Sequence, residues 1–267
     1  MQAETACKLV TDQLDTLSNA LASGQSEQLQ NYLSAMAKFH RYSVSNVFLI
    51  LLQSPDATHV AGYHTWRTLG RHVKEGERGI AIIAPMRMAA KDEGQQHGDK
   101  DQESHIRFRT AYVFDISQTD GEPLPDIGQP GGDPGDFSER LRGLVKQMSI
   151  ELEYADDLGG ALGVSKGGKI AIKSDLSPAQ EFSVLVHELA HEILHHKKNE
   201  ERPSKTLRET QAEAVAYIVG QGIGLDTGDA SKNYIQLYQG DAKSLMASLE
   251  EVRQCATEIL SALLADE

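Results

Sequence analysis

The sequence predicts an α+β fold in two domains, residues 1–128 and 137–267, and three observations carry that prediction. Apolar residues recur at helical spacing towards both ends of the chain, while alternating apolar stretches suited to strands lie between them. Asp120–Asp136 is dense in Pro and Gly and breaks the chain near its middle, as an inter-domain linker does. Beyond it, a run of helical periodicity carries His187-Glu188-Leu189-Ala190-His191, an H-E-x-x-H pentapeptide.

In chain order, residues 5–22 place Leu9, Val10, Leu14, Leu17 and Leu21 on one helical face, and Gln28–Lys38 repeats the pattern with Leu29, Tyr32, Leu33 and Met36. The apolar block Val44–Leu52 follows as a buried helix; it is too short to span a bilayer. Gly79–Pro85 and Ile106–Asp115 read as strands, with a polar insertion, Lys91–Ser104, between them. After the linker, Phe137–Met148 is helical and Lys169–Lys173 alternates as an edge strand, either one that lines a cleft and pairs with an extended peptide or an ordinary edge blunted by its two lysines. Leu245, Met246, Leu249, Val252, Ile259, Leu260 and Leu263 mark an amphipathic C-terminal helix.

The pentapeptide dictates chemistry. Residues four apart share a helix face, so His187 and His191 can hold one metal ion, with Glu188 beside it as the proton acceptor. Ser177-Pro178-Ala179-Gln180 supplies an N-cap, a proline at the first helical position and a capping-box Gln, which fixes where this helix starts. Phe182, Leu185, Val186, Leu189 and Ile193 form its core-facing stripe. A zinc site of this type takes a third protein ligand and leaves a fourth position for water. A third His after a Gly-containing turn is excluded, since Lys197 stands where it would fall. Glu209, on a second helix with 17 residues between it and His191, is assigned as the ligand, and Glu213, one turn on, as acceptor of a histidine N–H. Thr206-Leu207-Arg208-Glu209 also reads as a capping box, in which case Glu213 becomes the ligand. The ligand-then-acid order resembles thermolysin-like and related short zincin peptidases. His195 and His196 read as end-of-helix residues favoured by the dipole.

Composition bounds the rest. Hydrophobic residues at 40% and charged residues at 24% fit a soluble globular protein, and the absence of a basic leader pattern predicts a cytoplasmic one with no membrane partner. Two cysteines, Cys7 and Cys255, make neither a disulfide framework nor a thiolate site. The net charge of −13 excludes indiscriminate nucleic-acid binding by the whole surface, yet Met36–Arg87 holds seven Lys/Arg against three acids. Phe39, Tyr42, Tyr63 and Trp66 interleave with those charges, which suits base stacking on single strands but equally suits core residues beside a solvated face.

Phe39-His40-Arg41-Tyr42-Ser43-Val44-Ser45-Asn46, Ala61–Trp66 through Gly70–Gly79, and Val113-Phe114-Asp115 through Thr119 resemble the N-terminal domain of ArdC-type antirestriction proteins. The resemblance implies an α+β domain that binds single-stranded DNA, joined to a zincin-like metallopeptidase domain and carried on conjugative mobile elements such as plasmids. It directs the DNA-binding role to Arg41, Tyr42, Asn46, Trp66, Arg67, Arg71, Lys74 and Arg78. The expected activity is hydrolysis of a protein or peptide assisted by Zn2+, which polarises the scissile carbonyl while Glu188 moves the proton, with Tyr217 as a candidate oxyanion partner. Two other readings stay open: a non-enzymatic protein that coats single strands and uses zinc structurally, and a regulatory peptidase that cuts one repressor-like partner.

Overall fold

Three helices open the chain at the positions set by the apolar periodicity, Ala3–Ala22 (α1), Glu27–Lys38 (α2) and Val44–Gln53 (α3). They come from a computed structural model that describes residues 1–25, 27–86, 107–123, 132–196, 202–225, 237 and 241–265; the Lys91–Ser104 insertion and residues 124–131 of the expected linker lie outside these. Met1–Gln13 packs with Phe48–Glu122 in one compact unit, and Leu14–Val47 packs with Pro123–Glu267 in a second. The division differs from the sequence expectation at residues 14–47. Periodicity identifies the buried face of a helix but not its partner, and α2 finds that partner in the second unit.

The first unit is built on Val60–Gly62 (β1), Tyr63–Thr68 (α4), Arg71–Val73 (β2), Ile80–Met86 (β3), Arg107–Asp115 (β4) and Thr119–Gly121 (β5). β4 is central in the order β1-β4-β3, antiparallel to both neighbours, and β2 pairs with β5. Asp115 closes this unit. Its carboxylate accepts from the backbone N–H groups of Thr58, His59 and Ser117 and from the Ser117 hydroxyl, while Gln118 returns a side-chain oxygen to the Asp115 N–H. Burial works against its charge, but these donors outweigh it and hold the carboxyl below the ordinary carboxylate range.

The second unit adds Phe137–Gln147 (α5), Glu151–Ala155 (β6), Gly163–Ser165 (β7), Lys169–Lys173 (β8), Pro178–His195 (α6), Lys205–Gly222 (α7) and Ala242–Leu263 (α8). Its sheet runs β6-β8-β7, with β6 parallel and β7 antiparallel to β8. Lys169–Lys173 is therefore the central strand and not the expected edge. Ile170, Ala171 and Ile172 are all buried, a continuous apolar run that needs cover on both faces. The lysines at its two ends pair with Glu153 and Asp175. The edge beside α6 is β7.

The capping box at Ser177 forms as expected, with its side chain accepting from the Gln180 N–H and the Gln180 side chain answering to the Ser177 N–H. Phe182, Leu185, Val186 and Leu189 are buried beneath α6. On α7 the N-cap is Ser204, whose hydroxyl accepts from the Leu207 N–H. The box proposed at Thr206–Glu209 is not made, and Glu209 faces α6 instead of its own helix start. No described helix is long and apolar enough to cross a membrane.

Candidate metal centre

α6 brings the Nε2 atoms of His187 and His191 within 3.1 Å of each other. Glu209 Oε2, from α7, lies 3.5 Å from the first and 3.6 Å from the second. Imidazole and carboxylate ligands at about 2.0–2.2 Å from a tetrahedral ion stand about 3.3–3.6 Å apart, so this triangle is the size of one face of such a cage. Both rings have a polar partner on the far side. His187 Nδ1 lies 3.3 Å from Glu213 Oε2, and His191 Nδ1 lies 3.0 Å from His195 Nδ1. With a proton on each Nδ1, both Nε2 lone pairs and the Glu209 carboxylate converge on one point, a donor set that fits a divalent cation.

Burial and the neighbouring His187 push His191 down to about 4, so its imidazole is neutral and able to ligate at neutral pH. Glu188, only 7% exposed, lies under β7. A Cβ built on Gly163 would come within 2.8 Å of Glu188 Cγ and 2.9 Å of Oε1, so glycine is what lets the edge strand pass over this carboxylate. Burial raises the Glu188 carboxyl above its ordinary value; His187 and the Ser165 N–H act against this, and Glu209 and Glu192 add to it.

Sequence reasoning missed two residues here. His195, read as a dipole-favoured helix end, is 4% exposed, and its Nε2 lies 3.0 Å from Oε1 of Gln211, itself 1% exposed. The available signal was the spacing of His195, four beyond His191 as His191 is four beyond His187. Tyr217, one turn past Glu213, has its hydroxyl 2.7 Å from Ser34 Oγ on α2.

Residues 3–114 match the family described as the N-terminal domain of anti-restriction factor ArdC, and residues 144–219 match the peptidase family described as the IrrE N-terminal-like domain. The chain joins an ArdC-type N-terminal domain to an IrrE-like peptidase domain. An uncharacterized protein of Bacillus anthracis is 31% identical across 78% of this chain and 42% of its own length, so the chain spans about two fifths of that relative. Two crystal structures of the antirestriction ArdC protein from plasmid R388 share the fold. The metal-free one superposes with TM-score 0.55 at 17% identity over 96% of this chain and 97% of that one, and the Mn(II)-bound one with 0.56 at 16% over 97% and 99%.

The ArdC-type domain disposes its expected DNA-binding residues unequally. Trp66 is 1% exposed and its indole N–H donates to the Phe114 carbonyl at 2.9 Å, so it is a core residue and presents no stacking face. Arg71 is held by the β5 segment, donating to the Thr119 hydroxyl and to the Thr119, Gly121 and Glu122 carbonyls. Lys74 donates to the Ser117 carbonyl and lies 3.8 Å from Asp120. Arg67 and Arg78 are exposed. Arg41 is exposed, Tyr42 half-buried and Asn46 buried, and Arg41, Tyr42 and Asn46 belong to the other compact unit. The exposed aromatics of the first unit are Tyr63, Phe108 and Tyr112; only Tyr63 stands out in the sequence, as part of the basic window.

Proposed function

We propose that this is an antirestriction-type protein that binds single-stranded DNA through residues 1–128 and hydrolyses a protein or peptide at a zinc centre within residues 137–267. The observation that carries the hydrolytic half is the His187–His191–Glu209 triangle with Glu188 beside it. Two imidazoles and one carboxylate in a four-coordinate spacing suit zinc better than an oxygen-preferring ion, although the R388 ArdC protein was crystallised with Mn(II).

His187, His191 and Glu209 would hold the ion, and Glu213 would fix the His187 ring by accepting its Nδ1–H. When bound, zinc supplies Lewis acidity to the scissile carbonyl and to the attacking water. Glu188, held beside the edge strand by the Ser165 N–H, would take a proton from the attacking water and pass it to the leaving amine. β7 offers its outer backbone edge for pairing with an extended substrate, the role first expected of Lys169–Lys173. Tyr217 must exchange Ser34 for the substrate oxygen to serve as oxyanion partner.

Of the expected DNA-binding residues, Arg67 and Arg78 in the first unit and Arg41 in the second are exposed to phosphates, and Tyr63 offers an exposed ring for a base. The test is incubation with zinc and an unstructured protein, with and without single-stranded DNA, followed by mapping of cleaved bonds. Glu188→Gln should abolish cleavage while zinc content and DNA binding persist. Zinc-loaded wild type that cuts nothing under either condition would favour the strand-coating reading, and cleavage of one partner alone would favour the regulatory one.

A further inference from the structure

We infer that His195, Gln211 and Glu251 are positioning residues of the metal centre, acting on His191 through a hydrogen-bond relay that ends on a carboxylate; this rests on the metal reading above. His191 Nδ1 lies 3.0 Å from His195 Nδ1, His195 Nε2 lies 3.0 Å from Gln211 Oε1, and Gln211 Nε2 donates at 2.7 Å to Glu251 Oε2 on α8.

The chemistry of the far end sets the direction of every link. A carboxylate only accepts, so Gln211 turns its amide nitrogen to Glu251 and its carbonyl oxygen to His195. That oxygen also only accepts, so His195 carries its proton on Nε2. Its Nδ1 then presents a lone pair, and His191 donates from Nδ1. With its proton there, His191 turns the Nε2 lone pair to the point it shares with His187 and Glu209. Glu251 thereby selects the tautomer of a ligand three links away.

Were the relay reversed, His191 would carry its proton on Nε2, aimed at the ion. His191, His195 and Gln211 are 8%, 4% and 1% exposed, so water is excluded from the inner links and the polarisation passes from bond to bond. On its Nδ1 side His187 faces a carboxylate directly at Glu213, whereas the Nδ1 side of His191 reaches one through this chain. One ligand is thus supported from α7 directly, and the other through α7 to α8.

The experiment uses the full chain loaded with zinc, reading affinity by chelator competition and ring tautomers by long-range proton–nitrogen NMR. His191 should be protonated at Nδ1 and His195 at Nε2. His195→Leu and Gln211→Leu should each weaken zinc about 10–100-fold, and Glu251→Gln should weaken it in the same direction. His195→Asn should recover most of the loss, because its carbonyl reaches the Nδ1 position. A merely structural His195 would instead lower the melting temperature alike in both His195 variants and leave zinc affinity intact. A wild-type His195 protonated at Nδ1 overturns the relay, as does wild-type affinity in Glu251→Gln and His195→Leu. Should His195→Leu not fold, the wild-type tautomers and the exposed Glu251→Gln variant decide. Wild type that binds no zinc defeats the metal reading and the relay together; zinc-binding wild type with indifferent variants defeats the relay alone.

Discussion

Substituting Gly163 by alanine tests the edge-strand geometry at its tightest point. The added methyl would meet Val184 Cγ1 at 2.6 Å, Glu188 Cγ at 2.8 Å and Glu188 Oε1 at 2.9 Å. Carbon contacts settle at about 3.5–4.0 Å, so about 1 Å of separation must open between β7 and α6. The helix has little room to move, since Phe182, Leu185 and Leu189 are 2%, 2% and 0% exposed. The strand is tied down as well: Glu192 accepts from the Ser165 hydroxyl and from the Gly167 and Gly168 N–H groups at 2.6–2.8 Å. Displacement therefore falls on the Val184 and Glu188 side chains. Overpacking of this kind costs about 1–3 kcal/mol, which for a unit of this size lowers the melting temperature by about 2–12 °C. A shift of about 1 Å at a proton-transferring group costs about 100-fold in rate. Zinc affinity should hold, because the methyl touches none of His187, His191 and Glu209. Melting curves, chelator competition and hydrolysis rates measure the three effects. Wild-type melting together with wild-type hydrolysis in Gly163→Ala would show that β7 does not cover Glu188.

Glu209→Gln should lower zinc affinity by more than the about 10–100-fold expected of Glu213→Gln, measured by chelator competition; the opposite order would exchange their roles. Asp115 has its folded-state pKa lowered, so its stabilisation is complete above its unfolded value of about 3.9 and is lost as pH falls through the folded one. Asp115→Asn should consequently melt lower at neutral pH and lose less on acidification than wild type; parallel melting curves across acid pH would refute this. If Arg67 and Arg78 neutralise phosphates, changing either to Ala should reduce the single-strand salt slope by about 0.7, whereas Trp66→Ala should cost about 3–5 kcal/mol of stability. A folded Trp66→Ala protein that has lost only DNA affinity would restore the stacking role.

What the sequence displayed well was local. The Ser177 box, the proline after it and the stripe from Phe182 to Leu189 concern neighbours along one helix, so α6 and its two candidate ligands could be placed from spacing alone. Glu209 was reachable because 17 residues suffice for one helix to end and another to return. The relay was not, since pairing His195 with Gln211 depends on how α7 rolls against α6. Strand order was likewise hidden. Lys169–Lys173 has the same alternation at an edge or in the centre, and only the burial of Ile170 and Ile172 on the same strand as Ala171 distinguishes the two. Trp66 shows the limit of composition: an indole among arginines looks like a stacking face until its N–H is found donating to Phe114.

Small zinc modules that fold only around their ion lack a core of their own, and there the metal holds the chain together. The geometry at α6 is different in kind. Val186, Leu189 and Ala190 are fully buried, Glu192 clamps the strand turn, and Glu213 and His195 orient the two rings through contacts that exist among protein atoms alone. Glu188, by contrast, works against stability, because burial disfavours its charge and Glu209 and Glu192 repel it. A structural zinc gives no reason to retain a buried carboxylate under a strand cleared by Gly163. Proton transfer at a bound substrate does, and that balance favours the hydrolytic reading over the strand-coating one.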